Sequence, residues 1–220
     1  MVRINLVGSV VVSACVAVAV LSSNALAGKV KVYPSFREAG TGTLLEGGDP
    51  LTFKSSAVVI ATMEGNITCE VGVLKGTLQN NGLRADGFLV TGAAFHAGGG
   101  GPCASSTPLG AATITTAPPK GGWPGLAKAK SGHSKVTGPL VLTGEFEPAP
   151  GQKVTCTWSA TKVKATFIPN GQPIEARVSA AKFKRQGTDT TCPKTIFLSA
   201  DYNLTVKELG GSKQVAVSVS

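Results

Sequence analysis

The chain has 220 residues, with 21 Lys+Arg against 12 Asp+Glu, 28 Gly, 13 Pro, 5 Cys and 2 His. A chain of this length is one ordinary domain that can bury roughly 70% of its unfolded surface. With 42% hydrophobic and 15% charged residues it is neither a coiled coil nor a disordered chain, and two histidines leave little material for a metal or acid–base centre.

Residues 1–27 carry the order of a secretory signal peptide: Arg3, an apolar run from Leu6 to Leu21, then Ala25-Leu26-Ala27. That run is shorter than the roughly 20 residues a membrane-spanning helix needs, so cleavage after Ala27 is expected, leaving no transmembrane span. Val12-Ser13-Ala14-Cys15 resembles a bacterial lipobox, but Val16 to Leu21 keeps the segment apolar where a lipidated terminus turns polar. Removing the leader takes one cation and one cysteine, leaving 20 cations against 12 anions, a net of +8. The four remaining cysteines, Cys69, Cys103, Cys156 and Cys192, predict two disulfides in an exported chain.

Between residues 28 and 220 the pattern is that of strands. Val58 to Met63 reads as a buried strand, followed by a turn at Glu64-Gly65-Asn66. Ile67-Thr68-Cys69 then recurs as Val154-Thr155-Cys156, and Leu74-Lys75-Gly76-Thr77-Leu78 as Val163-Lys164-Ala165-Thr166-Phe167. Asn81-Gly82 recurs as Asn170-Gly171, both read as turns, and a Phe (Phe95, Phe183) precedes the second cysteine of each set. The offset is 87 residues at the first cysteine of each set and 89 at the second. We therefore expect an all-β chain, an antiparallel sandwich or barrel built from two pseudo-repeats, about 51–116 and 139–207, sharing one core.

The Gly/Pro-rich stretch from Pro102 to Gly138 reads as a long connection, with Gly125 to Lys130 as the best helical candidate. Val215 to Val219 alternates and is expected to close a sheet. Four cysteines allow three pairings, and loop-closure entropy gives a mild preference for Cys69–Cys103 and Cys156–Cys192, which also makes each copy self-contained.

Sites for chemistry are scarce. His96 and His133 lie in no nucleophile motif, and Gly98 to Gly101 lacks the Lys-Ser/Thr of a phosphate loop. Glu145 and Glu147 share one strand face, a spacing that also suits two solvated carboxylates. No catalytic residue, metal site or cofactor is assigned. Charge is the stronger signal: residues 28–119 hold six cations and six anions, residues 120–220 fourteen and six. Lys162, Lys164, Lys182, Lys184, Arg185 and Lys194 are candidates for one basic face, with Trp123 as a candidate ligand-contacting aromatic or a plug over the core. No base-stacking aromatics interleave the lysines, so nucleic acid is not the expected partner.

Gly65-Asn66-Ile67-Thr68-Cys69, Asn80-Asn81-Gly82, Phe95 ahead of Cys103, Thr155-Cys156-Thr157-Trp158 and Cys192-Pro193 followed by Leu198-Ser199-Ala200-Asp201-Tyr202 resemble segments of exported all-β proteins of soil actinobacteria. The resemblance spans about residues 40–207 and implies compartment and β architecture, with no activity attached. The reading is an exported, non-catalytic protein of the cell envelope or exterior, binding anionic cell-wall polymers or lipid headgroups through its basic second half. A small secreted hydrolase using Glu145/Glu147 or His96, and a carrier of a small apolar ligand, are the alternatives.

Overall fold

The computed structural model describes residues 36–81, 86–128, 132–168, 174–207 and 214–219. The expected leader with its cleavage position and Cys15, Gly82 of the Asn81-Gly82 turn, and the Asn170-Gly171 turn lie outside the described residues.

Every regular element among the described residues is a strand. The strands are β1 (Phe36–Glu38), β2 (Pro50–Ser55), β3 (Val58–Ala61), β4 (Asn66–Cys69), β5 (Val71–Asn80), β6 (Asp86–His96) and β7 (Ala104–Ser105). They continue with β8 (Ala112–Thr116), β9 (Trp123–Lys128), β10 (His133–Phe146), β11 (Val154–Ile168), β12 (Glu175–Arg185), β13 (Thr195–Lys207) and β14 (Gln214–Val219). Eight of them, in the order β2-β5-β6-β8-β10-β11-β12-β13, form an antiparallel ring that closes where β13 pairs β2. The fold is therefore a barrel, and closure removes the exposed edges that an open sheet would leave.

Alternation explains why these segments line a barrel. Along β13, Ile196, Leu198, Ala200, Tyr202, Leu204 and Val206 are buried, while Phe197, Asp201 and Asn203 between them face outward. Phe146 meets Trp158 edge-on at 6.3 Å, and Phe53 lies 5.8 Å from Phe88. Each such buried side chain stabilises the fold by about 1.5–3 kcal/mol, which fills most of the interior with aromatic and branched groups.

The two halves supply four consecutive positions each in the ring, and their registers correspond. Val71 faces His96 across β5 and β6, and Trp158 faces Arg185 across β11 and β12. Those pairs stand 87 and 89 residues apart, the same offsets as the cysteines. Cys69 joins Cys103 and Cys156 joins Cys192, closing loops of 34 and 36 residues. In the chain-entropy picture each cross-link stabilises by about 4 kcal/mol, and such bonds belong to an oxidising milieu.

Three expectations change. The buried strand expected over Val58 to Met63 stops at Ala61, and Met63 is exposed in the turn beyond it. The stretch from Pro102 to Gly138 is not a bare connection, because β8 and β9 within it both sit between β6 and β10, one toward each end. The helical candidate Gly125 to Lys130 is strand from Gly125 to Lys128, and its last two residues lie outside the described residues. Along β9 Trp123, Gly125 and Ala127 are buried and Pro124, Leu126 and Lys128 exposed, a two-residue period that the barrel wall rewards. A Cβ at Gly125 would collide with the Phe88 ring, so only glycine lets this strand lie so close.

Candidate functional site

The basic residues of the second half gather where the barrel wall opens. β11 and β12 pair at both ends, Trp158 with Arg185 and Ser159 with Lys184 at one, Thr166 with Arg177 through Ile168 with Glu175 at the other. Between them, residues 160–165 and 178–183 are not paired with each other. Both flanking registers carry a bulge at this level: β12 gains a residue against β13 between Val178 and Ala181, and β10 shifts against β11 between Thr137 and Leu140. Ala180 sits in the first bulge at φ 48°, an uncommon conformation for a residue with a Cβ, and its N–H donates to Ser199 Oγ at 3.0 Å.

Alternation sends the lysines of these segments outward. Lys162, Lys164, Lys182 and Lys184 are exposed and line a groove of about 510 Å³ whose floor is Ser159, Ala160, Ser179, Ala180 and Ala181. A second groove of about 690 Å³ shares Lys164 and Ser179 and adds Lys128, His133, Lys135 and Arg177. No carboxylate lines either groove. Among the described residues Lys162, Lys164, Lys182 and Lys184 form no ion pair, whereas Arg177 pairs with Glu175 at 2.8 Å and Asp201 at 2.9 Å. Those two carboxylates, Asp201 first, hold the Arg177 guanidinium above its ordinary value.

Residues i and i+2 on one strand stand about 7 Å apart, inside the Debye length of about 8 Å at physiological salt. The four lysines therefore feel one another, and they concentrate positive potential over small, uncharged side chains. Such a surface attracts a multivalent anion more strongly than an isolated lysine does.

Three of the residues singled out from sequence stand elsewhere. Trp123 is 4% exposed, faces the interior and donates its Nε1–H to the Pro139 carbonyl at 3.2 Å, so it is the plug and not a surface contact. Arg185 is half-buried and clasps the Cys192 carbonyl through Nη1 at 2.6 Å, which ties β12 to the second disulfide. Lys194 is exposed, but no part of either groove. Conversely, Lys128, Lys135 and the bulge at Ala180 belong to the site and were not found from sequence, where nothing marks a β11–β12 opening.

His96 donates its Nδ1–H to the Ala97 carbonyl at 2.7 Å, and Glu147 accepts the Gly151 N–H at 3.1 Å. The register runs from Phe95 to Ile114 and from Ile114 to Gly144, which puts Glu145 two strands away from His96, about 10 Å across the sheet. No hydrogen bond joins them among the described residues. Nor does any group of three His, Cys, Asp or Glu gather there to hold a metal ion.

Beneath the opening lies a cavity of about 80 Å³. Val163 of β11 and Val178 and Phe183 of β12 line it, together with Val90, Leu140 and Tyr202. The same two strand segments thus show lysines outside and apolar side chains inside. The Tyr202 phenol is buried, burial raises its pKa, and its hydroxyl has no hydrogen-bond partner among the described residues. Compared with protein-family models, curated proteins and solved structures, the chain matches none.

Proposed function

We propose that the protein is exported, stays at or outside the cell envelope, and acts there as a non-catalytic binding protein for an anionic polymer. The observation that carries this reading is the cluster Lys162, Lys164, Lys182 and Lys184, without carboxylate partners, around a groove in which the wall ladder is open. A folded chain gains nothing in stability from like charges held together, so their clustering fits a ligand of opposite sign. Two disulfides agree with an oxidising compartment, and the order of residues 1–27 agrees with export. The matched registers and cysteine offsets of the two halves support descent from a duplicated four-strand unit.

The test uses residues 28–220 with both disulfides formed, mixed with purified cell walls and with polyphosphate as a defined polyanion. Binding should weaken steeply between 50 mM and 500 mM salt and fall at least tenfold when all four lysines become serine. Equal binding by that variant, or half the protein still bound above molar salt, sinks the reading. Amino-terminal sequencing of the exported chain should begin at Gly28.

A further inference from the structure

The barrel carries a second arrangement that polymer binding does not use. Where β11 and β12 part, Lys162, Lys164 and Lys182 stand outside, and Val163, Val178 and Phe183 line the cavity inside. A molecule crossing the wall at this place would meet cations first and hydrocarbon next. Tyr202 also lines the cavity, 3% exposed and one strand beyond the opening on β13, where it pairs Ala176, and its hydroxyl makes no hydrogen bond among the described residues. The other polar lining groups are satisfied, Thr116 by the Ala93 carbonyl and Trp123 by the Pro139 carbonyl. Among the described residues the fully enclosed side-chain oxygen without a partner is Glu38 Oε1, so the Tyr202 hydroxyl keeps some accessible surface, and a ligand oxygen brought to it can accept its proton.

We propose that the opening between β11 and β12 is the binding site of a short anionic amphiphile, whose head rests on Lys162, Lys164 and Lys182, whose carbon chain enters the cavity, and whose chain oxygen accepts from the Tyr202 hydroxyl. An oxo- or hydroxyalkanoate has this chemistry. The volume sets the size. About 80 Å³ is near half of the ~150 Å³ apolar cavity that admits benzene in another protein, so the inserted part is a few carbons and not a long acyl tail. The site shares lysines with the polymer groove but does not depend on polymer binding.

Calorimetric titration of residues 28–220 with butyrate, pentanoate, hexanoate and octanoate tests the cavity. Affinity should rise about fourfold per methylene while the cavity fills and then level off, and 1-hexanol should bind at least tenfold more weakly than hexanoate. Ala93 lines the cavity, and Ala93→Leu fills it from a different strand. That variant should abolish the chain-length gain while leaving polyphosphate binding and the melting temperature within a few degrees of wild type. Tyr202→Phe should leave hexanoate unchanged and lower 5-oxohexanoate affinity by about two- to twelvefold. A flat chain-length series, or an Ala93→Leu variant with the full gain, overturns the proposal. Loss of polyphosphate binding in the four-lysine variant without any alkanoate binding in wild type would leave the polymer reading standing and this one fallen.

Discussion

Lys135 of β10 and Lys164 of β11 face one another directly in the strand register, both exposed, over a groove that no carboxylate lines. Directly opposed like charges disfavour strand pairing, and opposite charges favour it, by about 0.2–1 kcal/mol. Lys135→Glu should therefore raise the melting temperature slightly and, at the same time, weaken polyphosphate binding severalfold at low salt. The opposed signs of the two effects are the diagnostic, read by thermal unfolding and by salt-dependent binding. A variant that loses both stability and binding would show that Lys135 acts through packing.

Trp158 is fully buried, donates its Nε1–H to the Pro193 carbonyl at 2.8 Å and packs on Phe146, next to the Cys156–Cys192 bond. Trp158→Ala should cost about 3–5 kcal/mol, from the cavity and the orphaned carbonyl together. Replacing Cys69 and Cys103 by serine should cost about 4 kcal/mol through the unfolded chain. Denaturant titration measures both. A loss below 1 kcal/mol in either would mean that end of the barrel is not held as described.

Gly125 lies against the Phe88 ring with no room for a Cβ. Gly125→Val should destabilise by about 1–3 kcal/mol, even though valine is the better strand former. Pairing it with Phe88→Leu should recover part of that loss in the same unfolding experiment. Gly99, by contrast, has open space around it, and Gly99→Ala should leave stability within about 0.5 kcal/mol.

Burial raises the Tyr202 pKa in the folded chain above its ordinary value of about 10. The unfolded chain then releases this proton first as pH rises, so the folded state binds more protons and stability falls with increasing pH. The contribution is intact below about pH 10 and is lost above it, at up to about 1.4 kcal/mol per pH unit. Tyr202→Phe removes that component. Unfolding curves of wild type and variant should run parallel below pH 9 and separate above pH 10, wild type falling faster.

Much of the wall was legible in one dimension because side-chain direction on a strand follows a period of two. Lys162 to Phe167 reads as a strand with Lys162 and Lys164 outward, as found, whereas the buried strand expected over Val58 to Met63 ends at Ala61 and leaves Met63 98% exposed in the turn that follows. β9 was missed because Trp123-Pro124-Gly125 looks like loop chemistry. Its pairing with β6 and β10, on which no local propensity bears, makes it strand. The groove was half legible: alternation finds lysines on one face, but it does not say which two strands separate. Trp123 and Arg185 were drawn into the candidate face by residue type, and their fates were set by the carbonyls of Pro139 and Cys192, which lie 16 and 7 residues away along the chain.

Composition, alternation and cysteine count alone determined an all-β chain with four pairable thiols and a basic second half, since each depends only on residues close in sequence. Tertiary structure decided that the strands close into a barrel, that Cys69 meets Cys103 and Cys156 meets Cys192, and that the ladder opens beneath the lysines. Those outcomes depend on contacts between segments far apart in the chain. Their free energy comes from the shared interior, which has no one-dimensional signature.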